Sequence, residues 1–163
     1  MELVKNLPSH NVIVNKQRVL HNKQLKQFYQ LCMQDSYKKA LKVGPVALSK
    51  TPRTEPALRS WVCYKLVSCH FHLKQHEQAL PMAIRATRED PSGGWAWFNL
   101  GCSRGNLSPP DHDEAVQCFE RALKLKASPH NNKNVSRRAG ESAAESGRGQ
   151  GQGPTAHARA GGA

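Results

Sequence analysis

Residues 95–125 read WAWFNLGCSRGNLSPPDHDEAVQCFERALKL, and this stretch decides the fold. Trp97-x2-Leu100-Gly101 is followed by Ala115-x3-Phe119-x2-Ala122. In the second half, Ala115, Phe119, Ala122 and Leu123 recur at helical spacing, so they share one face. Glu120, Arg121 and Lys124 fall between them. Asn106, Ser108, Pro109, Pro110 and Asp111 supply turn chemistry between two short helices. Small Ala and Gly beside bulky Trp and Phe predict close helix contacts.

One such pair cannot bury its own apolar face, so copies are expected upstream. Glu77–Pro91 contains Ala79, Ala83, Ala86 and Pro91, and Ala79 and Ala86 are seven apart, like Ala115 and Ala122. Leu66 precedes Leu100 by 34 residues, whereas Ala79 precedes Ala115 by 36. Two extra residues around Pro109–Pro110 account for the difference. A fainter copy holds Ala40, Ala47 and Pro52, each 39 before Ala79, Ala86 and Pro91. One constant offset at three positions outweighs any single match.

These motifs resemble the tetratricopeptide repeat, whose pattern is W-x2-L-G-x2-Y, then A-x3-F, then P. Trp97, Leu100, Gly101, Ala115 and Phe119 fit; Arg104 stands where the family has Tyr, and the closing Pro falls late, at Pro129. The resemblance covers roughly residues 22–127. It implies an all-α fold of three antiparallel helix pairs, a short α-solenoid coiled as a right-handed superhelix. It also implies that the first helix of each pair lines a concave groove. By register, the partner groove would be Leu25, Tyr29, Trp61, Tyr64, Ser68, Phe71, Trp95, Phe98 and Cys102, an apolar and aromatic lining suited to peptide anchors. One subclass of the family grips a chaperone's C-terminal carboxylate with Lys, Asn and Arg. The equivalent positions are Leu25, Tyr29, Lys65, Trp95 and Asn99; only Asn99 fits, so that activity is not expected.

Outward from this frame, residues 1–15 read as irregular and 16–127 as the helical repeat domain. A long basic helix is expected from Lys16, and Asp35-Ser36 is a turn and N-cap for the next. That helix, from Tyr37 to about Leu48, contains Gly44-Pro45, where a kink or early end is expected. Glu55 to about Leu73 and the stretch after His76 to about Arg88 form the second pair. Residues 128–163 are rich in Gly, Ala, Ser and Arg, with Val135 as the single β-branched apolar residue, and read as a disordered basic tail. With no cover expected from that tail, the apolar last helix (Val116, Phe119, Leu123, Leu125) predicts self-association through an uncapped C-terminal repeat.

The 163 residues carry a formal charge of +12, with pI near 9.8. Six Lys/Arg against two Glu from Lys126 onward contribute +4 of it. Such an excess permits attraction to acidic proteins, nucleic acid or anionic surfaces without choosing among them. Five cysteines, at 32, 63, 69, 102 and 118, are odd in number and widely spaced, unlike a secreted disulfide framework. They read as reduced thiols in a cytoplasmic or nuclear protein. No apolar run approaches a membrane span, and no signal peptide is evident.

Cys69-His70-x-His72-x3-His76 is the sharpest metal-like cluster, but a turn before His76 breaks the shared face and no second ligand pair matches. No metal or cofactor is expected. Catalysis is not expected either. Gly93-Gly94 lacks the Lys-Ser/Thr of a phosphate loop, and Asp111, Asp113 and Glu114 suit a helix start. The sequence reads as a protein–protein interaction adaptor or scaffold that docks a partner peptide in the groove. Two alternatives are charge-driven binding to nucleic acid or an acidic surface, and a truncated product of a longer repeat protein.

Overall fold

The computed structural model describes residues 22–125 and 129–150. The expected irregular segment 1–15, the helix start at Lys16 and the tail beyond 150 lie outside the described residues. Among those described there are seven α-helices and no strand: α1 Lys23–Met33, α2 Tyr37–Ser49, α3 Pro56–His72, α4 His76–Glu89, α5 Gly94–Gly105, α6 His112–Lys124 and α7 Pro129–Gln150. Each helix packs on the next, and α3 also meets α5. The first six therefore form three helix pairs in a row, an all-α solenoid.

The repeating alanines set the spacing. Ala40, Ala47, Ala79, Ala83, Ala86, Ala115 and Ala122 are all 0 % exposed, one row per second helix. A methyl at the contact lets two helix backbones approach closely while large neighbours interdigitate around it. Gly101 carries the same logic further. A Cβ there would stand 2.7 Å from Phe119 Cε1, so the Phe119 ring fills the space that a side chain would need.

The offset of 39 residues reappears in the backbone. Asp35 and Lys74, in the turns after α1 and α3, have φ of 54° and 58°, a left-handed conformation that closes both turns alike. Ser36 occupies the N-cap position of α2 but makes no capping bond with its side chain. The turn after α5 is longer, as the spacing predicts, and Arg104 closes it. Arg104 Nη1 donates to Asp111 Oδ2 at 3.1 Å, and Asp111 Oδ1 caps α6 by accepting from the Glu114 N–H. The Arg in place of the family's Tyr thus has a local task.

Two expectations about the helices are corrected. First, no early end occurs at Pro45: α2 runs to Ser49, one residue past the expected Leu48. Gly44 is wedged where a Cβ would lie 2.4 Å from Leu66 Cδ2 and 2.9 Å from Phe28 Cε2, and this packing outweighs the lost hydrogen bond. Second, residues 129–150 of the expected disordered tail form α7, which lies on α6. Val135 is 0 % exposed and joins Ala115, Phe119 and Ala122 in one apolar cluster, with Ala139 packed against it. His112 and Glu145 approach to 3.0 Å, and Ser146 donates to Asp113. A composition too poor for its own core can still order on a stripe that α6 provides. For the same reason the expected uncapped end is covered, which removes the basis for self-association through it: Phe119 is 1 % exposed and Leu123 packs in the same cluster.

Arg59 joins the first two pairs. It is 8 % exposed. Its Nε and Nη2 each donate to Glu89 at 2.7 Å, and Nη1 donates to the carbonyls of Leu48 at 3.2 Å and Thr51 at 2.9 Å. One guanidinium thereby ties the end of α2, the start of α3 and the end of α4. Arg59 holds the Glu89 carboxyl below the usual carboxylate range, with Arg85 adding to the effect.

Two predictions follow from these contacts. Val135→Ala should destabilise the chain by about 1–3 kcal/mol, seen as a lower urea midpoint with an unchanged slope. For Glu89, a depressed folded pKa means stability that is present above the unfolded value of about 4.3 and lost as pH falls through the folded value. Glu89→Gln should therefore cost about 2–3 kcal/mol near neutral pH, and its gap from the wild type should close in acid. A gap independent of pH would show that the ion pair contributes nothing.

Candidate functional site

The first helices α1, α3 and α5 place their aromatic side chains in two runs, Tyr29–Trp61 and Tyr64–Trp95–Phe98, with Lys65 lying over both Trp61 and Tyr64. The Tyr29 and Trp61 ring centroids are 5.8 Å apart, those of Tyr64 and Trp95 6.1 Å, and those of Trp95 and Phe98 5.8 Å with the rings edge to face. Phe98 continues at 5.8 Å to Phe119 on α6. These separations suit attractive ring pairs. Tyr29 and Trp61 are each 9 % exposed, while Tyr64, Trp95 and Phe98 are half-buried. Helical arithmetic explains the arrangement on α3: Trp61 and Tyr64 are three apart and so share a face.

Lys65 completes the series, although the groove register omitted it. Its Nζ lies 6.0 Å from the Trp61 ring centre and 5.3 Å from that of Tyr64, within cation–π range. Burial pulls the Lys65 ammonium below its ordinary pKa, and the nearby Cys32 and Cys69 oppose that shift. The signal was legible, since Lys65 follows Trp61 by four residues, the spacing of helical neighbours. Burial also raises Tyr64. The Trp61 Nε1–H is buried and finds no acceptor among the described residues.

Of the nine positions expected in the groove, Tyr29, Trp61, Tyr64, Trp95 and Phe98 come together. Ser68 is half-buried on the same helix as Trp61. Leu25 is 1 % exposed and belongs to the core around α1–α3, so it offers no surface to a partner. Phe71 turns instead to His76 on α4, with centroids 5.2 Å apart. Cys102 lines a cavity of about 230 Å³ between α5, α6 and α7, together with Gly101, Phe119 and Arg138. Asn99, the one residue matching the carboxylate-gripping subclass, is 8 % exposed, and its amide donates to the Trp95 carbonyl at 2.6 Å. It is turned into its own helix.

The metal-like cluster is dispersed. His70 Nδ1 meets Gln75 Oε1 at 3.0 Å, the His72 ring stacks on Tyr37 at 4.2 Å, and Cys69 faces Cys32. No group of three or more potential metal ligands occurs among the described residues. None of the described helices is long and apolar enough to cross a membrane.

With this geometry in view, the comparisons agree on a class. The tetratricopeptide repeat family profile matches residues 96–129. The first TPR of Spaghetti (RPAP3), solved bound to an HSP90 peptide SRMEEVD, superposes with TM-score 0.63 at 19 % identity, covering 75 % of this chain and 89 % of that one. The Sgt2 TPR domain from Aspergillus fumigatus superposes with TM-score 0.64 at 22 % identity, covering 86 % and 90 %. No curated protein sequence matches. The chain carries a tetratricopeptide repeat, and its fold is that of a tetratricopeptide-repeat domain.

Proposed function

We propose that this chain is a protein-interaction adaptor that docks a partner peptide along the first helices, over Tyr29, Trp61, Tyr64, Trp95 and Phe98. The observation that carries the reading is the ring series itself, with Lys65 seated on it. Aromatic anchors of this kind bury large area for few torsions, which is why they dominate peptide hot spots. Half-buried Tyr64, Trp95 and Phe98 present a face to an incoming chain, with Tyr29 and Trp61 packed behind them.

The ligand this face fits has apolar side chains spaced along an extended or helical segment. One acidic group would sit by Lys65, and the charge of +12 favours an acidic partner. One neighbour in fold was solved with an HSP90 peptide. This chain has Trp95 and an inward-turned Asn99 at two of the positions that would grip such a carboxylate. Its ligand is therefore of a different kind, held by rings more than by charge.

Peptides selected on the full chain from a random display library supply the probe. Tyr64→Ala, with helicity verified by circular dichroism, should weaken the best of them by about 1–3 kcal/mol, and affinity should fall little with added salt. Unchanged affinity in Tyr64→Ala, or binding that collapses with salt and extends to any polyanion, would replace this reading with charge-driven association.

A further inference from the structure

We propose that Cys32 and Cys69 form an oxidisable dithiol, a modification site between α1 and α3 that takes a hydroperoxide as oxidant and closes to an intrachain disulfide. Their sulfurs lie 3.7 Å apart although the residues are 37 apart in sequence. Closure to a bond of about 2.0 Å needs the two sulfurs to move together by less than the width of one atom. Cys32 is half-buried and gives access from solvent, whereas Cys69 is 1 % exposed and sits behind it.

The surroundings suit this chemistry. Tyr29, Tyr37 and Lys65 are the titratable groups that face the pair. The bond from the Cys32 thiol, aided by the Lys65 ammonium, holds Cys69 below the ordinary thiol value, while Cys32 is held above it. Cys69 is thus the thiol of the pair that deprotonates first, and its thiolate is the nucleophile. Cys63, Cys102 and Cys118 differ: burial pushes each up to about 11, where thiolate is scarce at neutral pH.

With hydrogen peroxide the steps balance. The thiolate attacks one peroxide oxygen; a sulfur–oxygen bond forms, the oxygen–oxygen bond breaks, and hydroxide leaves and takes up the proton that the pair released. The second sulfur attacks the resulting sulfenic sulfur; the sulfur–sulfur bond forms, the sulfur–oxygen bond breaks, and water leaves with the remaining thiol proton. The dithiol loses two electrons, and peroxide is reduced to two waters. The product would pin the first repeat to the second beside Tyr29 and Lys65. The inference stands on the sulfur geometry and is independent of what the aromatic face binds.

The test treats the full chain with hydrogen peroxide near neutral pH, blocks free thiols, and maps peptides by mass without reduction. The expected result is one linked Cys32–Cys69 peptide pair, lighter by two hydrogens and reversed by a dithiol reductant, with the other three cysteines still alkylated after unfolding. Cys32→Ser, at a half-buried position, should lower the yield of intrachain link by at least about tenfold. Sulfinic or sulfonic acids on an unlinked pair, links between chains, or equal linkage to Cys63, Cys102 or Cys118 would each overturn the proposal.

Discussion

Close helix approach at residues no larger than alanine is the constraint on which this structure depends. The second helices offer seven fully buried alanines, and the large side chains come from the facing helices: Phe28, Leu66 and Leu100. Where even a methyl is too much, Gly44 and Gly101 stand in its place. Any larger residue in these rows would force helices apart, and cores this dense accommodate added volume poorly. The separations of 5.8 Å between Tyr29 and Trp61 and 6.1 Å between Tyr64 and Trp95 go with that spacing of the helices. The candidate binding face inherits its geometry from the opposite side of the same helices.

Helix α3 shows how one element serves both purposes. Val62, Cys63, Leu66 and Val67 face the cores, Ser60 bonds to α4 of its own pair, and Arg59 reaches both α4 and the end of the first pair. Tyr64 and Lys65 remain for the outer face, with Trp61 packed beneath them. A central helix packed on most sides has little circumference left for a partner, so what remains is occupied by large rings.

The solenoid was legible because its signal is local and repeated. The offset of 39 residues at Ala40, Ala47 and Pro52 located α2, and the same offset reappears as left-handed backbone at Asp35 and Lys74. Most of the aromatic series was legible through the register that the family resemblance implies. Leu25 misled, because one register cannot distinguish a helix start that faces the core from one that faces outward. Phe71 and Cys102 are half-buried at the other ends, beside His76 of α4 and in the cavity lined by α7. What composition hid was tertiary. α7 has one strong apolar residue, Val135, and orders only because Phe119 and Ala122 await it. Arg59 and the Cys32–Cys69 approach join residues 30 and 37 apart, with nothing near either to announce the partner.

The Arg59 contacts also make the array unequal along its axis. In a linear repeat protein each unit is stabilised by its neighbours, and melting can begin wherever the junction is weakest. Across the junction of the first and second pairs a nearly buried guanidinium holds two carbonyls, while the carboxylate it also binds lies within the second pair. Among the described residues no ion pair crosses from α4 to α5 or α6. Where the array begins to open therefore depends on how this guanidinium contact compares with the apolar packing at the second junction. A partner lying along the whole candidate face would span both junctions, so occupancy and the order of unfolding would be linked through the same surface.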